Sequence, residues 1–312
     1  MQNNITWRNH YIPQFILKDF LNDKINKIYC INVFEKNAKW MERNTKSCGF
    51  KEHLYTYNHD DNIEKQISKI EDDFSQIVKK IKKEKMINNF SSNEYFNYYH
   101  EIKNYDDIFT LYIAIQYLRN PLFYQRCSDF RQFYNNKENI INEKPILKTI
   151  YYNEDLIPSI FNLLPKIKKI IEDKYRFYSY FSYKSDIILP DSGIAETFFL
   201  EKYNNMLILP ISNNIIILAI RKEMDFAFSE CFLNKNKSKQ FNDILFFQDI
   251  LYNNIHSQIF CKNKIDDKTL NKISKRKFLN AFTLGNKAFL PNTEYTKGAK
   301  YEKHKKIKKR NI

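Results

Sequence analysis

Glycine is nearly missing from this sequence. Four glycines occur in 312 residues, alongside eight prolines and two tryptophans. So few chain-breakers argue against a loop-rich sandwich and against a disordered chain. Cysteine is sparse too: Cys30, Cys48, Cys127, Cys231 and Cys261 are odd in number and widely spaced. No Cys-x-x-Cys is present, so neither a zinc ribbon nor a thioredoxin-like pair is indicated. Reduced thiols in the cytoplasm are the expected setting. The N-terminus lacks the apolar core of a signal peptide. No run approaches the ~18 apolar residues of a membrane span, so no membrane partner is expected. A Gly-rich phosphate loop, a Gly-x-Ser-x-Gly elbow and a His-Glu-x-x-His motif are all absent.

What is there is apolar bulk and positive charge. Hydrophobic residues make up 43% and aromatics 16%, ample material for a core. The net charge is +15, unevenly spread. Between Lys297 and Arg310 stand eight basic residues and one acidic, or +7, and the remaining 43 basic and 35 acidic side chains give +8. The 297–312 tail has little apolar content and is expected to be disordered and solvated. The same charge suits a non-specific arm for nucleic acid. Heavy use of Asn, Lys, Ile and Tyr is typical of AT-rich genes, which discounts lysine abundance as a functional signal.

Periodicity organises residues 1–296 into one expected composite domain. Lys27–Phe34 reads as a strand, with Trp40–Thr45 as its hairpin partner. Gly49 marks a turn before Leu54–Tyr57. Ile63, Ile67, Ile70, Phe74, Ile77, Val78 and Ile81 recur at helical steps over Asn62–Lys83. Asp106–Asn120 reads as a second helix, and its Ile108–Leu118 segment is apolar on nearly every side, the mark of a central buried helix. Pro158–Asp173 reads as a third helix, Tyr175–Tyr183 as a strand and Pro190–Gly193 as a turn. Leu207–Ile211 and Ile215–Ile220 read as paired strands, and Gln240–Ile259 as a last helix. The expected class is α+β, predominantly helical with a modest antiparallel sheet.

The candidate site residues are polar groups in apolar settings. His10 and Gln14 share a helical face if the first helix starts early. Glu64 and Glu71 flank the buried stripe of their helix. Such carboxylates suit a divalent cation or acid–base work, and equally an ordinary helix shoulder. Gln116 and Arg119 lie three apart on the apolar helix. A buried guanidinium needs an anionic partner: Glu64, Glu71, Asp186 or a substrate phosphate. Ser185-Asp186 closes an aromatic strand, which suits a site or a turn.

Taken in order, these fragments resemble the bacterial domain-of-unknown-function family 4238. Its N-terminal motif, His-Tyr-x-Pro-Gln with an apolar run ending in Phe, is matched by His10-Tyr11-Ile12-Pro13-Gln14 through Phe20. The resemblance continues through the Glu64/Glu71 helix, Gln116-Tyr117-Leu118-Arg119-Asn120-Pro121, and Ser185-Asp186. A later Pro-Leu-Ser-Pro-like strand start is matched loosely by Leu209-Pro210-Ile211-Ser212, and the whole spans about residues 8–260. Two departures stand out. Ile187-Ile188 replaces the family's Asn-Pro after Ser-Asp, and Asn213 replaces the second Pro. Some members look like antiviral proteins, so the resemblance implies a role in defence against bacteriophage.

Two readings follow. In one, His10, Gln14, Glu64, Glu71, Gln116, Arg119 and Asp186 form the pocket of a nuclease-like, metal-assisted phosphodiester hydrolase. Arg119 would hold phosphate, Glu64, Glu71 and Asp186 a divalent cation, and His10 would move the proton. In the other, the cluster is structural, within a nucleic-acid-binding or phage-sensing module. The tail has its own test. Deleting residues 297–312 should remove a salt-dependent part of nucleic-acid affinity, lowering the log–log salt slope by about 0.9 for each phosphate that the tail neutralises. Binding isotherms at several salt concentrations measure this, and an unchanged slope identifies a mere solvated appendage.

Overall fold

The computed structural model describes residues 8–33, 35, 38–52, 62–90, 98–102, 107–119, 156–182, 187–199, 203–225, 243–255 and 257–275. The expected elements at Leu54–Tyr57, the Ser185-Asp186 pair, Pro121 and the 297–312 tail lie outside these residues.

The strands are β1 (Arg8–His10), β2 (Ile28–Asn32), β3 (Met41–Arg43), β4 (Phe50–Glu52), β5 (Tyr98–Glu101), β6 (Tyr175–Phe181), β7 (Leu189–Pro190), β8 (Ala195–Phe199), β9 (Tyr203–Ser212), β10 (Ile215–Arg221) and β11 (Gln258–Cys261). The helices are α1 (Gln14–Lys18), α2 (Asn62–Phe90), α3 (Asp107–Leu118), α4 (Leu156–Lys174), α5 (Asp243–Asn253) and α6 (Asp267–Lys275). Three sheets form: β1-β4, then β5-β6-β10-β9-β8, and β3-β2-β11-β7. Every described pairing is antiparallel.

The five-stranded sheet is the middle layer, for a reason visible in its side chains. Successive residues of a strand point to opposite faces. Phe177, Leu207, Leu209, Ile215, Ile217 and Ala219 join a core with Ile12, Leu17, Phe74, Phe109 and Ile171 of the helical side. Their alternates Tyr178, Tyr180, Met206, Ile208, Ile216, Leu218 and Ile220 join a second core with Phe247, Leu251, Ile31 and Ile259. The sheet is therefore covered on both faces, and β10 reads as an unbroken apolar run, Ile-Ile-Ile-Leu-Ala-Ile, rather than an alternating one.

On the first face, α3 lies between α2 and α4. Phe74 of α2 stacks on Tyr112 of α3, with ring centroids 3.8 Å apart and planes 8° from parallel. At the other end, Lys168 of α4 reaches Asp107 at 3.2 Å, and the Thr110 hydroxyl donates to Glu172 at 2.9 Å. Lys82 pairs with Asp19 and ties the end of α1 to α2.

Two expectations are corrected. The molecule is α+β but not predominantly helical with a modest sheet: helix takes 46% and strand 29% of the described residues. The strands β1, β4, β5, β7, β8 and β11 all lie outside the strands expected. The expected helix over Gln240–Ile259 also stops early. The buried Asn254 side chain donates back to the Ile250 carbonyl at 2.9 Å and closes α5. Gln258–Cys261 then runs as a strand between β2 and β7.

Phe74 is fully buried at the centre of the helical face. Phe74→Ala is expected to cost about 3–5 kcal/mol in urea-unfolding experiments. A loss below about 1 kcal/mol would mean that this face collapses around the void.

Candidate functional site

The site starts at a strand end. His10 closes β1 opposite Phe50, and the two rings lie 6.0 Å apart. Pro13 then opens α1 with φ −58° and ψ 143°, a junction its fixed φ favours. His10 and Gln14 thus do not share a helix, yet they meet across its first turn. The Gln14 amide nitrogen stands 3.1 Å from His10 Nε2. Which of the two groups donates depends on the His10 tautomer.

The intervening residues Tyr11 and Ile12 are anchored by backbone. Both N–H groups donate to the Gly49 carbonyl, at 2.9 and 3.1 Å. Gly49 holds φ +58°, and a Cβ there would stand 2.9 Å from Ile12 Cβ. Glycine is required on both counts. Burial, the nearby Asp191 carboxylate and Cys48 all push the Tyr11 phenol pKa upward, so it stays protonated. The Cys48 thiol is hydrogen-bonded to Cys30. Cys30, Cys48 and Cys261 are all buried free thiols, the reduced state expected for them.

Gln116 and Arg119 form the centre. Both are 1% exposed. Arg119 donates from Nε to Gln116 Oε1 at 2.9 Å, from Nη2 to the same oxygen, and from Nη1 to Glu71. Its guanidinium also lies 5.7 Å from the Tyr112 ring centroid. The Tyr112 hydroxyl donates to Gln116 Oε1 at 3.3 Å, and Gln116 Nε2 donates to the Tyr11 carbonyl at 3.1 Å. One amide therefore connects the buried cation to the N-terminal motif.

Of the carboxylates offered to Arg119, Glu71 is seen paired with it. Its side chain keeps 19% exposure, against 1% for Arg119. Desolvation pushes the Glu71 carboxyl up, and the Arg119 charge pulls against that rise. Glu64 stands half-buried two turns earlier on α2. Asp186 lies outside the described residues. Among the described residues no group of three His, Cys, Asp or Glu comes together as a metal site. The structure thus joins His10, Gln14, Gln116, Arg119 and Glu71 in one connected region.

Two contributors escaped the sequence reading. Gly193, at φ +70°, lies so close to Gln116 that a Cβ would stand 2.2 Å from its amide nitrogen. Asp191, in the same turn, is buried and accepts at Oδ2 from Ser257 N, Ser257 Oγ and Gln258 N, at 2.8, 2.7 and 3.0 Å. Glycine scarcity was the available signal: two of four glycines in the chain close on Ile12.

Replacing Arg119 with Met keeps volume and removes the cation. The variant is expected to lose about 3–5 kcal/mol near neutral pH, the cost of stranding a buried partner. Without Arg119, the Glu71 carboxyl rises further. The sign follows: stability is kept at acid pH and lost as the pH climbs through that raised pKa. Thermal melts between about pH 4 and about pH 8 read this, and a pH-independent gap between variant and parent would mean that Glu71 is solvated.

No helix of the described residues is long and apolar enough to cross a membrane. No curated protein and no solved structure matches the chain. A family model described as Protein of unknown function (DUF4238) matches residues 8–264, from the strand that carries His10 to just beyond the strand β11 that pairs with β2. The chain belongs to this family of proteins of unknown function.

Proposed function

We propose that this protein acts on a phosphate-containing substrate, as a nuclease-like hydrolase in defence against bacteriophage, with His10 as its proton-transfer group. One observation carries the reading. The half-buried His10 imidazole is hydrogen-bonded to the Gln14 amide, while the next peptide is tied through Gln116 to a buried ion pair. General acid–base catalysis needs a titratable group held in fixed geometry by a rigid support. The +15 net charge suits a polyanionic substrate.

The roles divide differently from the simplest assignment. Arg119 does not grip phosphate, because each of its nitrogens already donates to Gln116 or Glu71 and it is 1% exposed. Arg119, Gln116 and Glu71 are positioning residues. His10 and Gln14 are the groups proposed to meet the substrate. A divalent cation, if the reaction uses one, would draw on Glu64 and Asp186, since Glu71 is committed to Arg119. No step is routed through it.

The same commitment of Arg119 favours a second reading, a non-catalytic nucleic-acid-binding or phage-sensing module whose polar cluster is structural. His10→Ala separates the two. The hydrolase reading expects a loss of about 100-fold or more in nucleic-acid cleavage, with a melting temperature close to the parent's. Full activity in His10→Ala, or loss of activity only in step with loss of folding, sinks the catalytic assignment.

A further inference from the structure

The residues after Gln14 lead out of the site onto exposed surface. Gln14 and Lys18 lie four apart on α1, about 6 Å along its axis, and so share a face. Gln14 is half-buried against His10, and Lys18 is exposed. The next residue, Asp19, pairs with Lys82 of α2 and holds the end of α1 there. That contact sets Lys18 beside a stretch of α2 with charge of one sign.

The stretch is Phe74-Ser75-Gln76-Ile77-Val78-Lys79-Lys80-Ile81-Lys82-Lys83, with four lysines and no acid. Phe74, Val78 and Ile81 are buried, and Lys79, Lys80 and Lys83 are exposed. Lys79 lies three residues from Lys82 and four from Lys83, so these side chains are neighbours on the helix surface. Lys82 is spent on Asp19, whereas Lys18, Lys79 and Lys83 are in no ion pair among the described residues. Like charges at the Lys79–Lys83 spacing repel, so the row costs the helix stability rather than adding to it. Earlier on α2, Glu64, Glu71, Asp72 and Asp73 outweigh Lys65 and Lys69. Eight residues, about 12 Å of helix, separate Lys79 from the Glu71 that holds Arg119.

We propose that Lys18, Lys79 and Lys83 form a track for the backbone of a single-stranded nucleic acid, leading the strand to the His10 site. The inference rests on the phosphate reading above and narrows its substrate to a polymer. An ammonium group meets phosphate as a point charge and releases the counterions condensed on the strand. A row of cations one helix wide follows one backbone, and its exposure leaves it open to the strand without rearrangement. The exposed Asp72 and Asp73 carboxylates bound the track along α2 by repulsion. The open direction is therefore across to Lys18, and from there along one face of α1 to Gln14 and the imidazole bonded to it.

The experiment compares the parent with three full-length variants. One combines Lys18→Gln, Lys79→Gln and Lys83→Gln. A control combines Lys24→Gln, Lys39→Gln and Lys268→Gln, which removes the same charge from exposed lysines elsewhere. The third is His10→Ala. Affinity for a fluorescent single-stranded oligonucleotide is measured at several salt concentrations, together with its cleavage and the melting temperature. The track variant is expected to bind about tenfold or more weakly at low salt, with its log–log salt slope lowered by about 2, or about 0.7 for each phosphate no longer neutralised. The control and His10→Ala should keep the parent's affinity and slope, and all three should melt close to the parent, as exposed substitutions do. Two results overturn the inference alone: a track variant that keeps the parent's slope, or a control that loses as much as the track variant. A parent that binds through the track yet never cleaves overturns the hydrolase reading and leaves the track standing. A parent that does not bind the oligonucleotide overturns both.

Discussion

A guanidinium with 1% exposure sets the terms for everything around it. Its charge cannot be shed, so the fold must supply an anion and several acceptors or not form at all. Glu71 supplies the anion from α2, and Gln116 supplies the acceptor from one turn earlier on α3. Gln116 is then fixed, and its other end reaches the Tyr11 carbonyl. Gly193 follows in turn, because the space beside that amide admits no Cβ. One buried charge thereby specifies residues on two helices, the N-terminal segment and a turn between strands. The ion pair itself adds little net stability against an apolar alternative. What it adds is a single allowed arrangement of these segments.

The apolar frame makes that arrangement affordable. The middle sheet is buried on both faces by strict alternation, so its strands hold register firmly. A one-residue slip of β10 would send Ile215, Ile217 and Ala219 to the wrong core. The turn carrying Asp191, Ser192 and Gly193 emerges from β7 and leads directly into β8, an edge strand of that sheet. Its position against Gln116 is therefore as well defined as the sheet.

The strongest periodic signals were legible. Ile67, Phe74, Val78 and Ile81 marked α2, the all-apolar pattern marked α3 as central, and Ile215–Ile220 marked β10. Edge strands were not: β5 and β8 carry short segments whose pairing is decided by β6 and β9, elsewhere in the chain. The false continuation of α5 had a local cause. Ile255 and Ile259 extend the apolar run, and only the side chain of Asn254, turned back on Ile250, ends the helix. In the site, burial cost alone singled out Arg119 and required a carboxylate, but three candidates fitted. Choosing Glu71 needed the crossing of α2 and α3, set by the Phe74–Tyr112 stack. His10 and Gln14 were paired correctly for a partly wrong reason: a strand end and a helix start meet, rather than one helix face.

The departures from local rules concentrate in one place, and that concentration bears on function. The described residues hold two glycines at positive φ, and both close on Ile12. The buried cation, the desolvated carboxylate Glu71 and the buried Asp191 all lie within one or two neighbours of Tyr11 or Ile12. An apolar core would satisfy the fold more simply than this network does. Structural need accounts for Arg119, Glu71 and Gln116 once the guanidinium is present, because each completes another.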